Sequence, residues 1–191
     1  MVCMDEQPIQ FLKETRTPIP AMKGQPARED YEYERNGTGS VFLFTEALQG
    51  WRQVSVRDRR TAVDWAQEIK GLLDIKYAEA EKVLLIMDNL NTHSIGSLYE
   101  AFDPVEARRL AQKLEIHHTP KHGSWLNIAE CELSAFTRQC SSKRMPNRET
   151  LQQEAKAWAD RRNQNQKGVN WHFTTKDARI KLMRLYPQIQ S

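Results

Sequence analysis

The chain has 191 residues, 39% of them hydrophobic, and 28 Lys and Arg against 25 Asp and Glu for a net charge of +3. That is enough for one domain with a full core, and no apolar segment approaches the roughly 20 residues needed to span a bilayer, so no membrane partner is expected. The start, Met1-Val2-Cys3-Met4-Asp5, lacks a signal peptide's basic region, and three cysteines without a Cys-x-x-Cys pair fit a reducing cytoplasm.

Taken in order, Val2-Cys3-Met4-Asp5 is a short apolar run ending in an acid and reads as a strand. Pro8, Pro18, Pro20, Pro26 and Gly24 make residues 6–28 a loop. Residues 31–35 alternate, Asn36-Gly37 signals a turn, and residues 40–44 are strand-like, which together predict a hairpin. Residues 51–56 alternate again. Thr61 and Asp64 form a capping box ahead of a helix over 62–76, with Trp65, Ile69, Leu72 and Leu73 on its buried stripe.

Val83-Leu84-Leu85-Ile86-Met87 is an unbroken apolar run that stops at Asp88. It reads as a strand buried on both faces, with the acid at the carboxyl edge where open α/β sheets build their sites. Helices follow over 95–102 and 104–114, the second with Pro104 in its first turn, then a short strand over 115–119. Residues 125–140 read as a helix with Leu126, Ala129, Leu133 and Phe136 inward. Asn147 caps a further helix carrying Leu151, Ala155 and Trp158. Residues 164–168 form a polar linker, and a short helix starts near Thr175. A three-stranded meander followed by βα alternation predicts a mixed five-stranded sheet flanked by helices, the ribonuclease H-like arrangement. There the first and fourth strands are neighbours, which sets Asp5 beside Asp88.

Two carboxylates at adjacent strand ends suit Mg²⁺, a hard cation that takes one or two protein carboxylates and fills its shell with water and phosphate oxygens. A third acid on a following helix completes a site for two metals. Glu130 and Glu132 are both available; two residues along a helix is a rotation of about 200°, so they cannot share a face, and periodicity leans only slightly to Glu130. His117, His118 and His122 lack the paired framework of a zinc site. Charge is also uneven: residues 116–191 carry 13 Lys and Arg against 6 Asp and Glu, whereas residues 1–115 carry 15 against 19. A basic half suggests a polyanionic partner.

Met87-Asp88-Asn89-Leu90-Asn91-Thr92-His93, together with the stretch from Thr119-Pro120-Lys121-His122-Gly123 through Ser124-Trp125-Leu126-Asn127-Ile128-Ala129-Glu130, resembles bacterial insertion-sequence transposases. More narrowly, it is similar to the IS-six-thirty branch of the mariner superfamily. The tail from Trp171 to Leu182 also resembles that family's C-terminus. The departure is Ile128-Ala129, where Pro-Ile is common. The resemblance implies a catalytic Asp-Asp-Glu triad of Asp5, Asp88 and Glu130 binding Mg²⁺ or Mn²⁺, two ions in all. It implies cleavage and strand transfer of DNA at transposon ends, by a protein that is cytoplasmic and joins the nucleoid when bound. A hydrolytic nuclease of the same fold, or a remnant that binds DNA or full-length transposase without catalysis, is the alternative.

Members usually carry N-terminal helix-turn-helix modules, and this chain starts at the first catalytic strand. The expectation is therefore a catalytic domain over 1–168 with a tail over 169–191 packed on it. A separate helix-turn-helix polypeptide is one expected partner, and a second copy of the chain another. Asn89 and Asn127 are candidates to orient the acids, and His93 to touch a phosphate or cap the loop after Asp88. Lys121, Arg138, Lys143, Arg144 and Arg148 are candidates to hold the DNA backbone.

Overall fold

The computed structural model describes residues 1–120, 123–140, 143–165 and 168–183. Five strands, β1 (Val2–Glu14), β2 (Tyr33–Glu46), β3 (Trp51–Arg57), β4 (Val83–Met87) and β5 (Leu114–His118), form one sheet in the order β3-β2-β1-β4-β5. The first three are antiparallel, and β1, β4 and β5 run parallel. This is the five-stranded mixed sheet of the ribonuclease H-like fold.

Alternation along the central strands sends side chains to two separate cores. On one face Val2, Met4, Phe42 and Phe44 pack with Trp65, Ile69, Leu72 and Leu73 of α1 (Ala62–Gly71) and its π-helical continuation (Leu72–Lys76). Leu98 of α2 (Ile95–Ala101) and Leu110 of α3 (Pro104–Lys113) join them. On the other face Cys3, Val41, Leu43, Val54 and Val56 pack with α4 (Ile128–Gln139) and α5 (Arg148–Asn165). The Thr61 capping box closes in both directions, and Asp103 caps α3 with Pro104 at its first position. A final helix, α6 (Thr175–Lys181), is capped by Thr174 and Asp177. Among the described residues no helix is long and apolar enough to cross a membrane.

Three expectations are corrected. β1 does not end at Asp5 but runs on to Glu14, pairing with β2 as far as Tyr33. Pro8 is tolerated because β4 pairs only with Val2 and Cys3, so beyond them β1 has a ladder on one side alone and a missing N–H is accommodated on the other. Asn36-Gly37 is not a hairpin turn. It lies inside β2 where the register shifts opposite Phe11, with Gly37 at φ 90°, and Asn36 donates to the Pro146 carbonyl at 2.7 Å. A bulge draws on the same positive-φ glycine as a tight turn. The true reversal between β1 and β2 is tighter at its tip, where Met22 and Gln25 exchange backbone hydrogen bonds around Gly24.

The third correction concerns α4, which starts at Ile128 rather than 125. Ser124–Leu126 form a 3₁₀ turn, and Asn127 supplies the cap, so Leu126 stands outside the buried helical stripe of Ala129, Leu133 and Phe136. Residues 164 and 165, expected to open a polar linker, instead end α5, which runs through Asn165.

Candidate active site

Asp5 and Glu6 are consecutive in β1, so the pleat sends them to opposite faces. Asp5 shares the α4 face with Cys3, while Glu6 shares the α1 face with Val2 and Met4. Asp88 follows β4 directly. The register Cys3↔Ile86 brings the end of β4 level with Asp5, as expected from the sheet order. Backbone geometry around Asp88 is pinned from β5: the Thr119 N–H donates to the Met87 carbonyl at 2.9 Å, and His118 Nδ1 lies 3.0 Å from the Asp88 carbonyl.

The third acid is delivered by α4. Asn127 is fully buried; its Nδ2 donates to the Met4 carbonyl at 2.7 Å and its Oδ1 accepts from the Ala129 N–H at 3.2 Å. One side chain thus caps the helix and fastens it to the residue before Asp5. Glu130, in the first turn, lines a cavity of about 400 Å³ together with Asp5, Gln7, Ser134, Thr137 and Arg138. Glu132 turns the other way. It is buried against the Arg52 guanidinium (Nε at 2.9 Å, Nη2 at 3.2 Å) and Arg162 Nη2 at 3.0 Å. Its carboxylate is consumed in an ion cluster joining β3, α4 and α5, away from the cleft.

Electrostatics tie the three acids together. Burial pushes the Asp5 carboxyl up to about 7, with Asp88, Glu130 and Glu6 adding like-charge repulsion against the opposing hydrogen bond from the Glu6 N–H. Asp88 is held below the usual carboxylate range, chiefly by His93. His93 itself is buried between two acids: Nδ1 lies 2.8 Å from Asp88 Oδ1 and Nε2 lies 2.9 Å from Glu6 Oε2. Burial alone would lower its pKa, but the two carboxylates outweigh burial and lift it to about 9. As an imidazolium it donates to both.

The donor set suits a hard divalent cation: it is all oxygen, the three carboxyls are partly buried, and a bound cation would relieve the repulsion on Asp5. Among the described residues no three His, Cys, Asp or Glu side chains stand close enough to hold a metal ion by themselves. An ion here would complete its shell with water and phosphate oxygens, which is the habit of Mg²⁺ rather than of zinc.

The other expected residues divide. His93 is buried, and its Nδ1 reaches the Asp88 carboxylate at the head of the loop between them. Asn89 is exposed, whereas Asn127 is buried and fastens α4. Arg138 lines the cleft. Lys143 is exposed. Arg144 is committed elsewhere: it pairs with Glu14 at 2.6 Å, donates to the carbonyls of Asp30 and Glu32, and lies over the Tyr33 ring, bracing the root of the β1–β2 hairpin. Arg148 pairs with Asp58 at 3.1 Å beside a separate cavity lined by Arg57, Arg59 and Asp64. The four described cations therefore form no single track, and Lys121 lies outside the described residues. Trp125 is half-buried, with Phe173 edge-on at 5.1 Å and Lys181 over its face at 4.8 Å, so it anchors the C-terminal segment. Glu6 was missed because only the pleat and the β1–β4 neighbourhood bring it to His93; the Asp5-Glu6 pair itself was the available sign.

Residues 1–152 match the family described as DDE superfamily endonuclease. Comparison with curated proteins finds no match. Among solved structures, the Mos1 strand transfer complex is similar at 14% identity and TM-score 0.47, over 88% of this chain and 55% of that one. The catalytic core domain of BIV integrase is similar at 13% identity and TM-score 0.47, over 96% and 95%. A simian T-cell lymphotropic virus intasome in complex with PP2A regulatory subunit B56 gamma is similar at 10% and 0.48, over 99% and 56%. The chain spans about half the length of the Mos1 chain it matches (55%).

Proposed function

The chain belongs to the DDE superfamily endonuclease family, a family of nuclease-type enzymes, and we propose that it is the catalytic domain of an insertion-sequence transposase of the IS-six-thirty branch of the mariner superfamily. The observation that carries this reading is that the β1–β4 register sets Asp88 level with Asp5 while Glu130 lines one cavity with Asp5, so that Asp88 and Glu130 add repulsion on the buried Asp5 carboxyl. Mutually repelling acids at one sheet edge cost stability, and such groups gather where chemistry needs them. Residues 1–168 form the catalytic domain on this reading and 169–191 its tail.

Asp5, Asp88 and Glu130 would hold two Mg²⁺ or Mn²⁺. When bound, the metals supply activation of the attacking oxygen and stabilisation of the leaving one. The chain supplies position. Asn127 sets Glu130 against the strand that carries Asp5, His93 holds Asp88, and Arg138 offers a cation to the DNA backbone across the cleft. Water first cuts a phosphodiester; the freed 3′-hydroxyl then attacks target DNA by in-line displacement, without a covalent protein intermediate. Element ends are read by a helix-turn-helix partner, two copies of the chain assemble on DNA, and the protein works in the cytoplasm at the nucleoid.

Supercoiled plasmid and a labelled oligonucleotide with a free 3′-hydroxyl test this. The chain with Mg²⁺ is expected to nick the plasmid and join the oligonucleotide to it, and Asp88→Ala to lower both rates by about three orders of magnitude, since the metals' several kcal/mol are lost. Unchanged activity in Asp88→Ala would sink the reading. Nicking that never leads to joining would reduce it to a hydrolytic nuclease. Salt-dependent DNA binding without metal-dependent cleavage would make the chain a binding remnant.

A further inference from the structure

Glu6 has no part in the chemistry just described, yet its pair with His93 is the most deeply buried ionic arrangement at the site. The side chain of His93 is fully buried and that of Glu6 is 3% exposed, whereas Asp88 is one-third exposed. The Trp65 ring lies 6.1 Å from the imidazole, and Arg60 approaches Glu6 Oε1 at 3.6 Å. A buried ionic trio is seldom more stabilising than apolar residues of the same volume, so fold stability alone gives no account of it.

We propose that Glu6 is a positioning residue for Asp88: acting through His93, it keeps one Asp88 oxygen engaged and leaves the other for the divalent cation. This rests on reading Asp88 as a metal ligand. The need for such a device follows from the sheet. The β1–β4 ladder consists of Val2↔Leu85 and Cys3↔Ile86 and stops before the acids, so no backbone pairing fixes Asp88 relative to Asp5. A partly exposed carboxylate turns easily about its terminal torsion; the Leu90 N–H also donates to this one, but from its own loop rather than from the strand that carries Asp5. An imidazole bonded at one nitrogen is itself free to tilt; bonded at both, it is a rigid strut. Because Glu6 follows Asp5 on the same strand, the strand that presents one acid also braces the other, from the opposite face of the sheet.

The experiment is calorimetric titration of the full chain with Mn²⁺, comparing wild type, Glu6→Met, Glu6→Gln, His93→Phe, the Glu6→Met/His93→Phe double variant and Asp88→Asn. The methionine and phenylalanine variants keep volume and leave no new cavity. Glu6→Met and His93→Phe are each expected to weaken Mn²⁺ binding by about 10–100-fold. The double variant is expected to bind no more than about threefold more weakly than the worse single one, because both act through one carboxylate. Glu6→Gln retains an oxygen acceptor for Nε2 and is expected to recover most of the loss. In cleavage assays of Glu6→Met the Mn²⁺ half-saturation rises while the rate at saturating Mn²⁺ stays within about threefold, a split that general destabilisation does not produce. Wild-type affinity in Glu6→Met, multiplying losses in the double variant, or a Glu6→Gln as weak as Glu6→Met each overturns the proposal while a weakened Asp88→Asn leaves the site reading standing. Undiminished binding in Asp88→Asn overturns both.

Discussion

At the scale of single residues, Asn127 shows how little the fold leaves to chance around the acids. Its amide satisfies the Met4 carbonyl and its oxygen caps α4, so Asn127→Ala loses a cap and strands a buried acceptor. Together these should cost about 2–3 kcal/mol in denaturant unfolding, with an unchanged slope; a loss below about 0.5 kcal/mol would show that α4 is held by packing alone. Residues of this kind were partly legible in the sequence. Asp88 stood out because an apolar run ends on it, and Asn127 because it sits ahead of a helical stripe. Glu132 and Glu130 looked nearly equivalent, since periodicity cannot reveal that Arg52 and Arg162, distant in sequence, meet under one of them. Arg144 was unreadable for the same reason: its partner Glu14 lies in a stretch that the sequence suggested was a loop, and Asp30 and Glu32 lie on the returning chain, all distant in sequence.

At the scale of elements, α1 and α3 were read with near-correct bounds, because a capping box and an Asp-Pro start are local signals, whereas the 3₁₀ turn ahead of α4 was read as part of that helix. The long strand β1 was not, because Pro8 is acceptable only where a neighbour strand is missing, and that is a property of the sheet. Elements are also joined by surface charge. Lys70 and Asp74, from α1 and its π-helical extension, meet Glu106 and Arg109 of α3; Asp74 and Lys70 lie 2.7 Å apart, Arg109 reaches Asp74 at 2.8 Å, and Lys70 also pairs with Glu106. Arg109 and then Lys70 hold the Glu106 carboxyl down to about 2, against an ordinary 4.5. A depressed acid contributes stability above its unfolded value and loses it as pH falls through its folded value. Wild type should therefore exceed Glu106→Gln by less than about 1 kcal/mol near neutral pH, the group being solvent-screened. Thermal melts should show that gap closing between about pH 4.5 and about pH 2. A gap independent of pH would mean that the cluster acts through packing rather than charge.

At the scale of the whole molecule, the sheet separates two tasks. One face carries α1, α2 and α3 with the buried Glu6 and His93; the other carries α4 and α5 with the cleft. The acids sit where the two meet, at the edge formed by the crossing from β1 to β4. The central claim is that Asp5, Asp88 and Glu130 act together on phosphodiesters while Glu132 serves the fold. The most direct measurement is Mg²⁺-dependent plasmid nicking, per folded molecule, by Glu130→Gln and Glu132→Gln beside the wild type. Glu130→Gln should melt like the wild type and lose about three orders of magnitude in rate. Glu132→Gln should melt earlier, because the buried Arg52 guanidinium and the partly buried one of Arg162 lose a shared charge partner, and still nick at a rate within about threefold of the wild type. The reverse pattern, with Glu130→Gln active and folded Glu132→Gln inert, would contradict the account.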